Sequence, residues 1–563
     1  MNLDLNKIIL YYNTIRFISF HQIVFRLWYL IRRRLMIDQF FYYNLQTTKN
    51  DLFSDVKKLS FKSSNIPHYQ SSYSSLLRNE FTFLNQTISF GNQVDWHYSQ
   101  LNEGTRLWKL NLNYHEYLID LAQLYKDTNS KIYLNFIENH IEEWLRQNHL
   151  GTKKYYKDNW SAYAISLRLT SWIKVYSLIE SWSTTNFRNS LLLSFRMQLN
   201  YLKSNLEIDL KANHLLENYF SLLFCSFFVD DNKLFKKSSR LLIRELNEQI
   251  LHDGGHFELS PMYHQLILYR LLDCINLLQN NNQFTSQNLL LVFMLDKARN
   301  MLHWINNITF SNGEIPLLND STIGVAPTTK QINEYSSGLG ISRIENKKGL
   351  SCSGYRKYAI SNYECVIDIG HIGPVYQPGH SHADTFNFVL NVNNEPLVID
   401  TGISTYNAGD IRKKERGTSG HNTVSILDKD STEVWSSFRV ARRATVKILH
   451  EDESTVIAEH NGYLRQGTIH RREWIFLENQ IEIQDKIRGQ IREGKAYIKL
   501  APQIRPSQIG HSIDLGDAIL HFEQASSVKL YLSKIPNGFN RFEENYNIEV
   551  SFMKQLKTIL KTI

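Results

Sequence analysis

The chain has 563 residues, 42% of them hydrophobic and 21% charged, the ordinary balance of a soluble globular protein rather than a disordered one. A formal net charge of +8 favours polyanionic partners, but no zinc finger, RNP-like motif or arginine-rich tail is present, which sets nucleic acid aside. Cys225, Cys274, Cys352 and Cys365 are scattered without a C-x-x-C spacing, so no disulfide framework is expected and a reducing compartment is compatible.

In chain order, the first feature is an apolar-rich stretch over residues 8–31, interrupted by Arg16, His21 and Arg26 and followed by Arg32, Arg33 and Arg34. A signal peptide would carry its positive charge before the apolar stretch and a small-residue cleavage site after it. A membrane-spanning helix would need about 20 residues nearly free of charge. Neither pattern fits, so the expected location is the cytoplasm or the inner face of a membrane. Ile8, Tyr12, Ile15, Ile18, Ile23, Leu27 and Leu30 suit a basic amphipathic helix or helix pair. Packing on the body of the protein is the first reading, and peripheral contact with an anionic membrane the second. Residues 1–75 form a basic, partly helical extension.

From residue 76 to 345 the apolar spacing is helical, in runs such as 114–126, 132–147, 161–182, 190–204, 212–229, 235–251, 261–279 and 287–306, with Asn, Asp, Gly or Ser at the breaks. Successive helices with short links predict hairpins wound into a solenoid or closed toroid. Three places in this half depart from core text. Lys211-Ala-Asn-His-Leu-Leu-Glu-Asn218 opens an apolar helix, and His214 and Glu217 share a face at i, i+3; a capping Asn with solvated neighbours is the plainer account. In Asp253-Gly-Gly-His-Phe-Glu-Leu-Ser-Pro-Met-Tyr-His264 the two glycines permit close approach of a ligand. Ser260 and Pro261 suit an N-cap and first helical position, which puts Tyr263 and His264 in the first turn, near positive backbone dipoles. The loop Ser311-Asn-Gly-Glu-Ile-Pro-Leu-Leu-Asn-Asp320 reads as a polar turn.

Beyond residue 345 the period becomes that of strands. Short segments rich in Val, Ile and Tyr occur at 364–370, 386–392, 396–400, 422–427, 444–449, 455–459, 472–477, 480–484, 496–500 and 527–532, and predict an antiparallel sandwich. The fold class expected is therefore α+β multidomain: an N-terminal (α/α) toroid over 76–345 and a C-terminal antiparallel β-sandwich over 346–563. Gly379-His-Ser-His-Ala-Asp384 reads as the start of a strand, on which His380 and His382 would point the same way. With Asp400-Thr-Gly402 and Arg416-Gly-Thr-Ser-Gly-His421-Asn-Thr, it supplies the donor types that hold a divalent ion.

These motifs, with Asn213-His-Leu-Leu-Glu-Asn218 and Ser260-Pro-Met-Tyr-His264, resemble those of the heparinase II/III family over residues 75–563. The resemblance implies a polysaccharide lyase that cleaves a uronic-acid-containing acidic polysaccharide by β-elimination. Its N-terminal segment resembles that of members serving bacterial surface-polysaccharide (exopolysaccharide) pathways. The same resemblance implies Tyr263 and His380 as catalytic residues, with His214 or its neighbour Asn213 neutralising the substrate carboxylate. Glu217, His264, Arg416 and Asn422 are candidates for binding substrate. His382, Asp400 and His421 would hold a divalent metal of mainly structural role, zinc first, with manganese or calcium as alternatives. A uronate C5-epimerase would use the same proton abstraction, and a non-catalytic polysaccharide-binding or assembly protein is the rival from another class.

Overall fold

The computed structural model describes residues 5–35, 56–97, 106–148, 158–179, 181–342 and 349–563; the predicted domain boundary at residue 345 lies outside them. Two helices open the chain, α1 (Leu5–Ile15) and α2 (Phe20–Arg34). The helical half contains α3 (Arg106–Tyr114), α4 (Tyr117–Thr128), α5 (Lys131–Gln147), α6 (Ala162–Leu178), α7 (Thr185–Ser204) and α8 (Ala212–Phe228). It continues with α9 (Asn232–Gln249), α10 (Pro261–Asn280), α11 (Gln287–Ile308) and α12 (Thr329–Gly338). The predicted run 114–126 corresponds to α4, which starts only at Tyr117 because His115 adopts a left-handed φ of 59° and separates it from α3.

Burial separates inner from outer helices. In α6, 14 of 17 residues are buried, in α8 16 of 17 and in α10 15 of 20. In the alternating α7, α9 and α11 the buried residues number 8 of 20, 7 of 18 and 9 of 22. A helix apolar all round belongs inside, and one with an apolar stripe belongs outside. The alternation is that of an (α/α) toroid, with the first turns of the inner helices α8 and α10 facing the second half of the molecule.

That half is antiparallel throughout. A sheet of four strands runs in the order β3-β4-β5-β6 (Tyr355–Ile360, Tyr363–Asp368, Phe388–Val392, Glu395–Val398). It faces a ten-stranded sheet along β10 (Val446–Glu451), β11 (Thr455–His460), β12 (Thr468–Leu477), β13 (Gln480–Gly489), β18 (Phe542–Thr562), β17 (Ala518–Pro536), β16 (Ser512–Asp514) and β15 (Ser507–Ile509), with β14 (Glu493–Lys499) joining β18 to β7 (Val424–Ser425). Two small hairpins stand apart from these sheets: β1–β2 (Glu80–Phe83, Gln86–Ser89) in the helical half and β8–β9 (Val434–Trp435, Arg439–Val440) in the second half. Leu390, Val398, Trp474, Ile483 and Ile548 are among the residues that fill the space between the two sheets. The last two strands of the large sheet, β17 (Ala518–Pro536) and β18 (Phe542–Thr562), form one long hairpin. Only 527–532 of it is anticipated by the sequence pattern.

The His-x-His motif is not on a strand. It lies in the loop between β4 and β5, where the backbone is turn and coil. This loop is stitched to the toroid: Asp320 N–H donates to the His380 carbonyl at 3.1 Å, and His382 N–H donates to Asn319 Oδ1 at 3.0 Å. The Ser260 hydroxyl, which caps α10 by accepting from Tyr263 N–H, also reaches the Asp320 carbonyl at 2.9 Å. The segment around Asp320 is thus the seam between toroid and sandwich.

Candidate active site

The first turn of α8 presents Asn213 and His214. The helix is not capped by Asn as the sequence suggests: Lys211 occupies the cap position without a side-chain cap bond. Lys211 and Ala212 both have left-handed φ, 60° and 52°, a conformation that costs non-glycine residues energy and concentrates at functional sites. Leu259 (φ 59°) precedes the cap of α10 and Asn319 (φ 56°) precedes Asp320 in the same way.

Tyr263, one turn into α10, lies over His380 with ring centroids 4.0 Å apart. Asn213 Nδ2 donates to His380 Nε2 at 3.3 Å, and His380 Nδ1 meets Asp320 Oδ2 at 2.8 Å. With Nε2 accepting, the ring proton sits on Nδ1, donated to the carboxylate, and the Nε2 lone pair faces Asn213. Three predicted residues from two domains, Asn213, Tyr263 and His380, therefore meet in one cleft at the seam, where Tyr263 and His380 are half-buried. His214 stands at its edge, half-buried, with Nδ1 3.1 Å from Glu207 Oε1 and its ring 4.6 Å from that of Tyr163. Burial alone would lower the His214 pKa, but the Glu207 carboxylate raises it above the ordinary histidine value.

Asp320, Arg412 and Tyr406 complete the site and were not anticipated. Asp320, fully buried, receives both histidines of the motif, His380 and His382, the latter through Nε2 at 2.8 Å. It also accepts two parallel bonds from Arg412, at 2.6 and 2.7 Å. Burial would raise this carboxylate, yet Arg412 and the two imidazole donors hold it well below the usual range. The Tyr406 hydroxyl pairs with that of Tyr263 at 2.8 Å. Burial first, then Tyr406, Asp320 and Glu258, push the Tyr263 phenol well above 10.

Other expectations need correction. The glycines of Asp253-Gly-Gly-His256 do not admit a ligand: a Cβ on Gly254 would sit 2.0 Å from the Asn300 carbonyl oxygen of α11, and one on Gly255 2.7 Å from the Trp304 indole nitrogen. Their close approach is to another helix. The four residues assigned to substrate binding are buried and bonded within the protein. Glu217 is paired with Arg270 at 3.5 Å, and burial raises it to about 7. His264 accepts from His256 N–H, meets the Met301 carbonyl and stacks on Trp304. Arg416 donates to the carbonyls of Ser381, Ser436 and Ser437, bracing the histidine loop from behind. Asn422 donates to the carbonyls of Phe388 and Ile399. His264, Arg416 and Asn422 each satisfy buried backbone groups that would otherwise be unpaired.

Among the described residues no group of three His, Cys, Asp or Glu side chains stands arranged to hold a metal ion. Of the predicted set, His421 Nδ1 meets Asp400 Oδ2 at 2.9 Å, and His382 turns toward Asp320. Their rings are 5.2 Å apart. His382 Nδ1, His421 Nε2 and Asp384 Oδ2 are buried without a hydrogen-bond partner, which is unusual for polar atoms in a folded interior.

Two family descriptions cover almost the whole chain: Heparinase II/III N-terminus over residues 36–339 and Heparinase II/III-like, C-terminal, over 345–562. The heparin-sulfate lyase of Bacteroides stercoris is 23% identical over 522 residues, spanning 84% of this chain and 74% of that enzyme. The heparin-sulfate lyase of Pedobacter heparinus is 22% identical over 375 residues, spanning 60% of this chain and 54% of the enzyme. Among solved structures, one of heparinase III superposes with a TM-score of 0.69 at 15% identity, covering 93% of this chain and 88% of the other. The heparinase III BT4657 gene product gives 0.63 at 18% identity, covering 94% and 88%. At such identities the likeness is one of fold: toroid followed by sandwich.

Proposed function

The chain belongs to the heparinase II/III family, and from that premise we propose that it is a polysaccharide lyase which breaks the bond at O4 of a uronic acid in an acidic polysaccharide. The observation that carries the reading is the meeting of Asn213, Tyr263 and His380 across the domain seam. Heparin-sulfate lyases are among its relatives, which supports a sulfated or unsulfated uronate polymer as the substrate class. A bacterial exopolysaccharide remains our reading of the polymer.

The C5 proton of a uronate is only weakly acidic while the carboxylate is charged. Donors aimed at that carboxylate stabilise the enolate-like transition state, each by about 3 kcal/mol. Asn213 and the cationic form of His214 fill this role. His380 Nε2, with its lone pair and an Asp320-anchored ring, takes the proton from C5 as general base. The electron pair forms the C4–C5 double bond and the C4–O4 bond breaks. Tyr263, whose high pKa keeps it protonated, gives its proton to O4. Proton return from His380 to the phenolate beside it resets both groups, so the net transfer is from C5 to O4.

The divalent metal expected at His382, Asp400 and His421 is a further part of this proposal. The two orphaned imidazole nitrogens support it, since each offers a lone pair that no protein group uses. When bound, the ion would tie the histidine loop to the sandwich; no step above passes through it. Protein as purified should contain about one equivalent of zinc, manganese or calcium by plasma mass spectrometry. His421→Ala should lose it, and a wild-type protein devoid of metal after growth in metal-replete medium sinks this part. Peripheral membrane contact by residues 5–35, which contain no Asp or Glu, completes the reading.

The test of the lyase is incubation with a panel of uronate-containing polymers, monitored by ultraviolet absorbance and mass spectrometry. Unsaturated oligosaccharides are expected. Exchange of H5 with deuterated solvent without cleavage would replace the lyase by an epimerase, and binding with neither would leave a non-catalytic protein.

A further inference from the structure

The helix pair α1–α2 lies on the protein the wrong way out. On α2, Gln22, Arg26, Tyr29 and Arg32 face the body. Their side chains donate to the carbonyls of Asp209, Asp209, Leu206 and Ser204 at 3.3, 3.2, 2.5 and 2.7 Å. On α1, Asn13 is buried and Thr14 accepts from the Trp435 indole N–H at 3.1 Å.

The apolar side chains point away. Phe20, Val24, Leu27, Ile31 and Leu35 follow one another at i, i+4, i+7, i+11 and i+15, on the side of α2 opposite Gln22, Arg26 and Tyr29. Leu5, Ile8, Tyr12 and Ile15 do the same on α1. All nine are between 43% and 76% exposed. A helix that buries its polar face and shows its apolar one reverses the pattern of soluble surface helices, and a contiguous apolar surface of this kind marks an interaction site. The pair also lies before residue 36, where the match to the family begins.

We propose that these two outward stripes are a monotopic anchor that seats the protein on an anionic lipid bilayer. At 1.5 Å per residue, helices of 11 and 15 residues are about 16 and 22 Å long, and among the described residues no helix is long and apolar enough to cross a membrane. They can lie in the interface but not span it. Charge selects the partner. Residues 5–35 carry six cations and no acid, of which Arg26 and Arg32 are engaged with carbonyls of the body. Two copies brought together through this segment would set one acid-free, cationic stretch against another, whereas anionic lipid headgroups complement it.

The anchor also touches both rims of the cleft. The strand of chain held by α2 contains Glu207, the partner of His214. The region held by α1 includes Trp435 and Arg443, whose guanidinium lies 4.0 Å from the Phe17 ring centre. It flanks Phe438, which meets His380 edge-on.

This deepens the membrane contact proposed above and does not depend on the lyase chemistry. The test is flotation of the purified full chain with vesicles of phosphatidylcholine alone, or of equal parts phosphatidylcholine and phosphatidylglycerol. The chain should float with the anionic vesicles and be largely released at about 0.5 M salt, where screening reaches within a few ångströms. The triple variant Val24→Glu/Leu27→Glu/Ile31→Glu should bind about a hundredfold more weakly with an unchanged melting temperature. If that variant fails to fold, Phe20→Ser alone should weaken binding about tenfold. No flotation with anionic vesicles overturns the proposal. So does a dimer in solution that the triple variant converts to monomer without any vesicle binding, which would assign the face to a second copy. Cleavage of soluble polymer, assayed in parallel, reports on the lyase separately.

Discussion

At the scale of single residues, the site assigns different work to groups that the sequence can only name together. Tyr263 and His380 look interchangeable as acid and base, but Asp320 and Asn213 fix the imidazole with its lone pair on Nε2, while burial keeps the phenol protonated. Tyr263→Phe should abolish turnover and leave the melting temperature unchanged, since only one hydroxyl, shared with Tyr406, is lost; measurable cleavage by this variant would remove Tyr263 from the mechanism. His214 gives a pH dependence. Its pKa is raised by Glu207, so its charge, and any stability it lends, is present below the ordinary histidine value near 6.5 and is lost as pH rises through the higher folded value. The kcat/KM profile should therefore fall on its alkaline side, and His214→Ala should lower the plateau and erase that limb. Glu217, His264, Arg416 and Asn422, which the sequence offers as substrate contacts, are polar groups within the motifs whose side chains turn into the protein. Proximity in sequence says nothing about which side of the backbone faces the cleft.

Elements deliver these residues through short, constrained entries. α10 starts at a Ser-Pro pair whose capping role is readable from the sequence and is found, so the sequence alone places Tyr263 in a first turn. The glycine pair upstream invites a functional reading, yet its reason is the packing of α11 on that turn. Gly254→Ala would drive a methyl against the Asn300 carbonyl at φ +94°, and should cost about 1–3 kcal/mol from strained backbone, plus the displacement of α11. Gly313, with a similar φ of +89° but no atom within 4 Å, is the control, and on replacement by Ala should lose only the backbone-strain part, about 1–3 kcal/mol. Urea denaturation of both variants measures the difference; equal losses would show that α11 gives way freely. Helices α4 to α11 were legible because their apolar spacing is long and regular; the shorter α3 and α12 lie outside the runs it marks. The loop ending at Asp320 was not, because a buried carboxylate that gathers two histidines and an arginine looks, as text, like any polar turn.

For the molecule as a whole, Asp320 is the ionic link between halves. It sits on the toroid side of the seam and binds Arg412, His380 and His382 of the other domain. Asp320→Asn would leave the Arg412 guanidinium buried without its counter-charge, a loss of about 3–5 kcal/mol. Because this stability resides at the interface, calorimetry should show the single transition of the parent resolve into two, one per domain. One unsplit transition at the parental temperature would mean that the apolar contacts alone hold the halves together. The carboxylate is held low, so its contribution persists above the ordinary Asp value and is lost as pH falls below it. The division into toroid and sandwich could be read from the change of period; the extent of the sandwich could not. β17 and β18, 19 and 21 residues long, exceed the usual strand of about 5–6, and register shifts between Glu523 and Ser527 interrupt the alternation that would reveal them. The position of β18 has a consequence for how the protein is made. One edge of this strand serves two partners, β13 along Lys561–Gln555 and β14 along Met553–Asn547, while the other edge pairs with β17. Every one of those neighbours leaves the ribosome before it. Until β18 arrives, the nascent sandwich waits with three unpaired edges side by side, and it is during that interval, rather than in the finished enzyme, that a chaperone has something to shield.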